Sequence, residues 1–422
     1  MFDIIFALAS ARGKAGISVF RISGPGAFNL AAQLCGNVPL QRGIRVLKHS
    51  GHFLDRALVL SFKQSASFTG EEVIEFHCHG SPALVSAVSE ALLAVGARLA
   101  DPGEFTRRAL NNERLDLSQV EGLSDLIEAE TEVQRRQAYA LMEGGLTQKV
   151  DLWRINLIRA AALVEATIDF SDEDIPIDVL PEVNTLISVV MEDLKAEIAG
   201  SFVAERVREG FEVAIIGPPN IGKSTLLNAL AGRQAAITSE VAGTTRDVID
   251  VRMDLKGIPV TFLDTAGLRE TSDVIEALGV ALARKRADSA DLRLFLTPDK
   301  KTVGFGINLQ DDDLVVLGKA DKGGGVSGKT GIGLDQMIAH ITRVLSERVA
   351  LTQSAVRQRH RMAMEESIGY LTDAQNLMLA NEESELVALE LNATLHAMNS
   401  IIGRVGVEDL LDEIFASFCL GK

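Results

Sequence analysis

Tryptophan and tyrosine are nearly missing from this chain, at one and two residues, and cysteine is present only at positions 35, 78 and 419. Three cysteines, odd in number and far apart, make no disulfide framework and suit a reducing, cytoplasmic setting. No stretch of eighteen apolar residues occurs, so no membrane-spanning helix and no membrane partner are expected. The opening MFDIIFALASA lacks the basic n-region of a secretory leader and carries Asp3, so it reads as a first strand. Positive charge is also in deficit. The formal net charge of −16 excludes a chain that is basic all over, and a nucleic-acid partner would need local patches. Candidates are Arg135-Arg136, Arg284-Lys285-Arg286 and the group Arg357, Arg359, His360 and Arg361, against the plainer reading of solvated helix faces.

What is abundant is aliphatic. A hydrophobic content of 47% over 422 residues supports real cores in two or three domains. Residues 1–117 read as mixed α and β, with strands at 16–22, 57–62 and 72–78 and a helix at 81–96 entered through Ser81 and Pro82. Residues 118–210 turn helical, with apolar positions such as Leu152, Ile155, Ile158 and Ala162 at helical spacing. The tail, 350–422, repeats that texture as helices at 356–380, 383–402 and 407–418. Between the two lies 211–349, where strands and helices alternate. The expected fold class is therefore multidomain α/β plus all-α: an N-terminal α+β domain, a central helical domain, and a Ras-like P-loop domain inserted into it.

Within the insertion, FEVAIIGPPNIGKST is a buried strand running into G-x-x-x-x-G-K-S and then a helix. Gly217 and Gly222 let backbone N–H groups turn inward around phosphate, Lys223 reaches the β- and γ-phosphates, and Ser224 can ligate Mg²⁺. The loop contacts expected are Asn220, Ile221, Gly222, Lys223, Ser224 and Thr225. VTFLDTAG is a strand ending in D-x-x-G, so Asp264 can hold Mg²⁺ through its water shell while Thr265, Ala266 and Gly267 face the γ-phosphate. Gly243 opens GTTRD, whose Thr245 completes the Mg²⁺ shell with Ser224. Contacts to the γ-phosphate vanish on hydrolysis, which makes these segments switches. Guanine is expected to be read by N-K-x-D, but the chain has Gly318, Lys319, Ala320 and Asp321. Asp321 can accept from N1 and N2, and Gly318 cannot supply the amide of Asn. Leu268, just after D-x-x-G, cannot orient water.

GPPNIGKST, AGTTRD and DTAGLRE resemble the MnmE (TrmE) family of tRNA-modifying GTPases. So do GISVFRISGPG, SFTGEEVIEFHCHGS, DPGEFTRRALNNERLDLSQVEGLSDLI and the terminal SFCLGK, so that the resemblance spans essentially the whole chain. It implies a homodimeric, K⁺-activated GTPase. With the flavoprotein MnmG, in a hetero-oligomer, the family builds a 5-carboxymethylaminomethyl or aminomethyl group on the wobble uridine of certain tRNAs. The one-carbon unit comes from 5,10-methylene-tetrahydrofolate, of which 5-formyl-tetrahydrofolate is an analogue. The folate contacts implied are Arg21, Glu75, Arg114 (Lys in many relatives) and Lys422, and the N-terminal domain becomes the folate-binding and dimerisation domain. The K⁺ ligands implied are Asn220, Ser239, Val241 and Thr244, within a nucleotide segment that also holds Glu240 and Ala242. Glu276 is the implied catalytic, water-orienting glutamate.

Two other functions compete: a ribosome-assembly GTPase, which leaves the N-terminal blocks unexplained, and a non-hydrolysing nucleotide-binding scaffold, suggested by Gly318. His77, Cys78 and His79 evoke a metal site, but alternation on a strand leaves at most two ligands on one face. Cys419 is open to two readings, reactive thiol or buried free cysteine.

Overall fold

The computed structural model describes residues 3–169, 179–218, 220–237, 250–264, 287–299, 308–350, 354–380, 384–405, 415 and 421. These fall into two compact units, Met1–Ser124 with Asn399–Lys422, and Asp125–Met398.

The first unit is built on a six-stranded mixed sheet. Its members are β1 (Ile5–Leu8), β2 (Ala15–Ser23), β3 (Arg42–His49), β4 (His52–Phe62), β5 (Val73–Gly80) and β6 (Arg98–Leu99), in the order β3-β4-β5-β2-β1-β6. Strand alternation sorts its faces. Phe20 and Ile22 of β2 and Ile74, Phe76 and Cys78 of β5 turn into the core, where α1 (Ala27–Cys35) and α2 (Pro82–Ala94) add Leu30, Leu34, Val88 and Leu92. Arg21, Glu75 and His77 fall on the intervening, half-buried positions. The expected first strand and the expected entry to α2 are both found: the Leu84 backbone N–H donates to Ser81 Oγ at 3.2 Å, and Pro82 lies in the first turn. Two further helices, α3 (Glu104–Asn111) and α4 (Leu117–Glu128), follow the sheet.

The second unit joins helices to a second sheet. Thr131 and Gln134 close a capping box at the start of α5 (Glu132–Met142), an arrangement worth about 1 kcal/mol. After it come α6 (Gly145–Asp169) and α7 (Leu180–Glu209), which pack along each other and bury Trp153 and Leu157 on one side, Ile187 and Leu194 on the other. The sheet comprises β7 (Phe211–Ile216), β8 (Asp250–Leu255), β9 (Ile258–Asp264), β10 (Leu292–Thr297) and β11 (Leu314–Leu317), in the order β11-β10-β7-β9-β8. All neighbours are parallel except β8, which runs antiparallel on the edge. The central β7 and β10 are buried along almost their whole length, Arg293 of β10 included, whereas β8 alternates between buried and open positions. Helices α8 (Lys223–Ala231) and α9 (Leu334–Val349) pack on the face that carries Val213, Ile215 and Leu294, while Ala214, Ile216 and Phe295 face the other way, against Ala287.

After the sheet the chain returns to helices α10 (Gln358–Leu379) and α11 (Ser384–Ile401), matching the first two tail helices expected. The third lies outside the described residues, apart from Phe415. Glu197 of α7, only 3% exposed, secures the return: it pairs with Lys149 of α6 and accepts from the backbone N–H groups of Ser354 and Ala355 at 3.1 and 3.3 Å.

Two of the basic candidates carry carboxylate partners. Arg135 and Arg136 both close on Glu132 at 2.7 Å, Arg357 pairs with Asp125 at 2.7 Å, and His360 is fully buried. Arg361 pairs with Glu205 at 3.1 Å and lies 4.2 Å over the Phe202 ring. Arg135 and Arg136 share the single Glu132 carboxylate of their own helix and stay exposed, whereas helix packing brings carboxylates to Arg357 and Arg361 and leaves no open cationic patch at those two. Arg284-Lys285-Arg286 lies outside the described residues.

Candidate functional site

In the second unit the chain leaves β7 for β9 on one side and β10 on the other, which is where an open α/β sheet forms its ligand crevice. The loop 217–222 sits there. Gly222 caps α8 in the left-handed region at φ 108°, and Asn220 shares that region at φ 59°. A Cβ on Gly217 would stand 2.5 Å from the Leu296 carbonyl oxygen, so the loop can lie this close to β10 only with glycine. Lys223, 8% exposed, donates to the carbonyls of Gly217 and Pro218 at 2.9 and 3.3 Å. Its ammonium thus lies inside the curl of the loop. The open first turn of α8 adds a positive dipole end.

Asp264 ends β9 beside that helix. Ser224 Oγ donates to its Oδ2 at 3.0 Å, and its other oxygen, Oδ1, is buried with no hydrogen-bond partner among the described residues. A buried carboxylate oxygen left bare beside a hydroxyl is a donor set suited to a hard divalent cation, so the residues fit Mg²⁺.

The base side is a cavity of about 190 Å³ at the ends of β10 and β11. Asp321 faces it and is oriented by Ser327, whose Oγ donates to Oδ1 at 2.5 Å. Ser327 was not among the site residues expected; only the folded loop shows its grip on Asp321. Lys319 adopts φ 53° and, with Ile221 and Thr225, joins the lining. Ser239, Glu240, Val241, Ala242, Gly243, Thr244, Thr245, Thr265, Ala266, Gly267 and Glu276 lie outside the described residues.

In the first unit, register does the assembling. Arg21 and Glu75 are direct cross-strand partners, joined at 2.9 Å. His77 Nε2 sits 3.1 Å from the same carboxylate, Phe105 lies 5.9 Å below the guanidinium, and the carbonyl of Gly421 reaches Arg21 at 3.4 Å. Of residues 416–422 only Gly421 is described, and Lys422 lies outside the described residues. Arg114 donates instead to the Ser65 carbonyl at 3.3 Å. The pair offers one cationic donor and one carboxylate acceptor on one sheet face, which suits the donor and acceptor edge of a pterin. His77 and Phe105 were missed by sequence reasoning, though i and i+2 spacing on a strand already put His77 beside Glu75.

The His77-Cys78-His79 metal reading does not assemble. His79 bonds Asp55 at 2.8 Å, His77 bonds Glu75, and Cys78 is buried in the core. Burial, reinforced by the Asp55 charge, pushes the Cys78 thiol up to about 12. No metal-type cluster occurs among the described residues.

A phosphate-cradling loop at the switch point, a hydroxyl–carboxylate pair beside it and a carboxylate-read base cavity define a P-loop nucleotide-binding protein. Comparison with known proteins narrows the class. The family model "MnmE helical domain" matches residues 117–419, and that for "GTP-binding protein TrmE N-terminus" matches residues 4–114. This chain belongs to the MnmE (TrmE) family. It is 54% identical over 430 residues to the "tRNA modification GTPase MnmE" of Roseobacter denitrificans, covering 100% of both chains. The proteins of that name from Ruegeria pomeroyi and Cereibacter sphaeroides (strain ATCC 17029) are each 56% identical over 429 residues, again with 100% coverage of both chains. Among solved structures, the G domain of the T. maritima FeoB iron transporter aligns with 33% of this chain and 98% of its own. Its identity is 19% and its TM-score 0.20, too low to bear on the fold.

Proposed function

We propose that this protein is a GTP hydrolase acting in tRNA modification, as its full-length relatives are named. The observation that carries the reading is the Ser224–Asp264 pair beside the Lys223-filled loop. In that arrangement Lys223 leaves the loop carbonyls for phosphate oxygens, and the α8 terminus takes the negative charge. Ser224, Thr245 and Asp264 would hold Mg²⁺, which would supply charge neutralisation at the phosphates. Asp321, fixed by Ser327, accepts from the purine edge. Leu268 leaves water to Glu276, and a K⁺ ion held by Asn220, Ser239, Val241 and Thr244 takes the place of an arginine finger.

The finer chemistry follows the family reading. The protein acts as a homodimer with the flavoprotein MnmG in the cytoplasm. It makes the 5-carboxymethylaminomethyl or aminomethyl group of wobble uridine from 5,10-methylene-tetrahydrofolate held at Arg21, Glu75, Arg114 and Lys422. The supporting feature is the Arg21–Glu75 pair, with Arg21 also donating to the Gly421 carbonyl. Mass spectrometry of wobble uridines from cells lacking the protein tests the pathway, and unchanged nucleoside profiles refute it. Initial GTPase rates in matched KCl and NaCl test the cation, and equal rates remove K⁺ from the mechanism.

A further inference from the structure

The base cavity is tighter than its glycines suggest. A Cβ placed on Gly318 would meet Ile221 Cγ1 at 2.8 Å, the Ile221 carbonyl oxygen at 3.0 Å and Ile221 Cδ1 at 3.2 Å. Ile221 is 7% exposed and belongs to the sheet core, so it has little room to swing away. On the other base loop, a Cβ on Gly328 would meet the Thr225 carbonyl oxygen at 2.5 Å and Leu226 N at 2.7 Å. Both base loops therefore press on the phosphate loop and its helix more closely than a side chain at either position allows. Gly318 is also tied down, its N–H donating to the Thr297 carbonyl at 2.9 Å.

We propose that Ile221 and Gly318 form a steric pair that sets the width of the base pocket, making the phosphate-loop residue Ile221 a determinant of base recognition. The pair rests on the nucleotide-site reading above. Its physical content is a trade: Ile221 Cγ1 and Cδ1 occupy the volume into which a side chain at 318 would project, and the purine is left to Asp321 and the loop backbone. Gly318 is then not a lost Asn that a single substitution restores. Asn at 318 must displace a buried isoleucine or push the loop off β10, and either movement disturbs the cavity that Asp321 faces.

The test is a double-mutant cycle on the full chain with wild type, Ile221→Ala, Gly318→Asn and the double variant. It is read by mant-GDP affinity and by thermal unfolding without nucleotide. Gly318→Asn is expected to weaken mant-GDP binding about tenfold or more and to lower Tm. Adding Ile221→Ala is expected to recover about tenfold in affinity over Gly318→Asn alone, a clear departure from additivity. Gly318→Ala, which adds only the Cβ, repeats the cycle should the Asn variant not fold. Gly318→Asn binding as tightly as wild type, or effects that simply add, overturns the pair. A folded wild type that binds no mant-GDP refutes the nucleotide reading itself, while the unfolding cycle still decides whether 221 and 318 are coupled.

Discussion

Ser224 Oγ and Asp264 Oδ2 lie 3.0 Å apart although 40 positions separate them in the chain. The hydroxyl comes from the first turn of α8 and the carboxylate from the last residue of β9. Parallel pairing of β9 with β7, which matches Ile215 with Asp264, brings the two ends together. The bond satisfies one carboxylate oxygen and leaves the other bare and buried, an arrangement that a cation completes.

Asp264→Asn keeps the size of that side chain and removes its charge. Mg²⁺-dependent GTP turnover should fall by roughly 10²–10³-fold, the usual consequence of losing one charge-stabilising contact. GDP binding measured in EDTA should change little. Wild-type turnover would remove Asp264 from the metal site.

Asp321→Asn should move preference from GTP toward xanthosine triphosphate, because an amide donates where the carboxylate accepts. Competition between the two nucleotides for the variant measures the shift. Discrimination that stays as in wild type would assign the base to another residue.

Arg21→Ala should weaken 5-formyl-tetrahydrofolate binding about tenfold or more, by removing a charge-assisted contact and leaving Glu75 uncompensated. Basal GTP hydrolysis should persist, since Arg21 and Lys223 belong to different compact units. Deleting Lys422 should likewise abolish uridine modification and spare hydrolysis. Titration calorimetry with the folate and a GTPase assay on each variant separate the two sites.

Glu197→Ala should destabilise the helical part of the second unit by about 3 kcal/mol. It strands two backbone donors and Lys149 around a buried vacancy, although Lys149 is partly solvated and the effect stays at the low end of the range. The loss should appear in chemical denaturation. A change within experimental error would show that water replaces the carboxylate.

Burial works against the Asp55 carboxylate. Even so, bonds from the His79 backbone, the His79 ring and the Arg56 backbone, each at 2.8 Å, hold it below the usual range. A folded value below the unfolded one contributes stability that is present above about pH 4 and is lost as pH falls through the folded value. Asp55→Asn should therefore flatten the acid limb of the stability–pH curve below about pH 4 and leave its shape near neutrality unchanged. An unaltered acid limb would remove Asp55 as a source of acid sensitivity.

How much of this could be read from the residues alone divides by range. Spacing within one segment was enough for the phosphate loop, since Gly217, Gly222, Lys223 and Ser224 act within a single turn and need only a strand before them and a helix after. The helices of the second unit showed in their apolar spacing, but Leu152, Ile155 and Ile158 of that spacing are exposed, and the buried stripe of α6 runs instead through Trp153, Leu157, Ala160 and Val164. Local chemistry, repeated at a fixed period, determined these. Pairing between distant segments was decided only by the tertiary structure. Nothing local tells Arg361 that Glu205 and Phe202 wait for it, so a basic run that looked open turned out to be compensated. Ser327 gains its role only when its loop folds over Asp321. Gly318 looked like a lost contact, and the fold shows instead that Ile221 stands where that contact would have been. Excluded volume acts between whichever atoms the chain brings together, and no spacing along the chain records it.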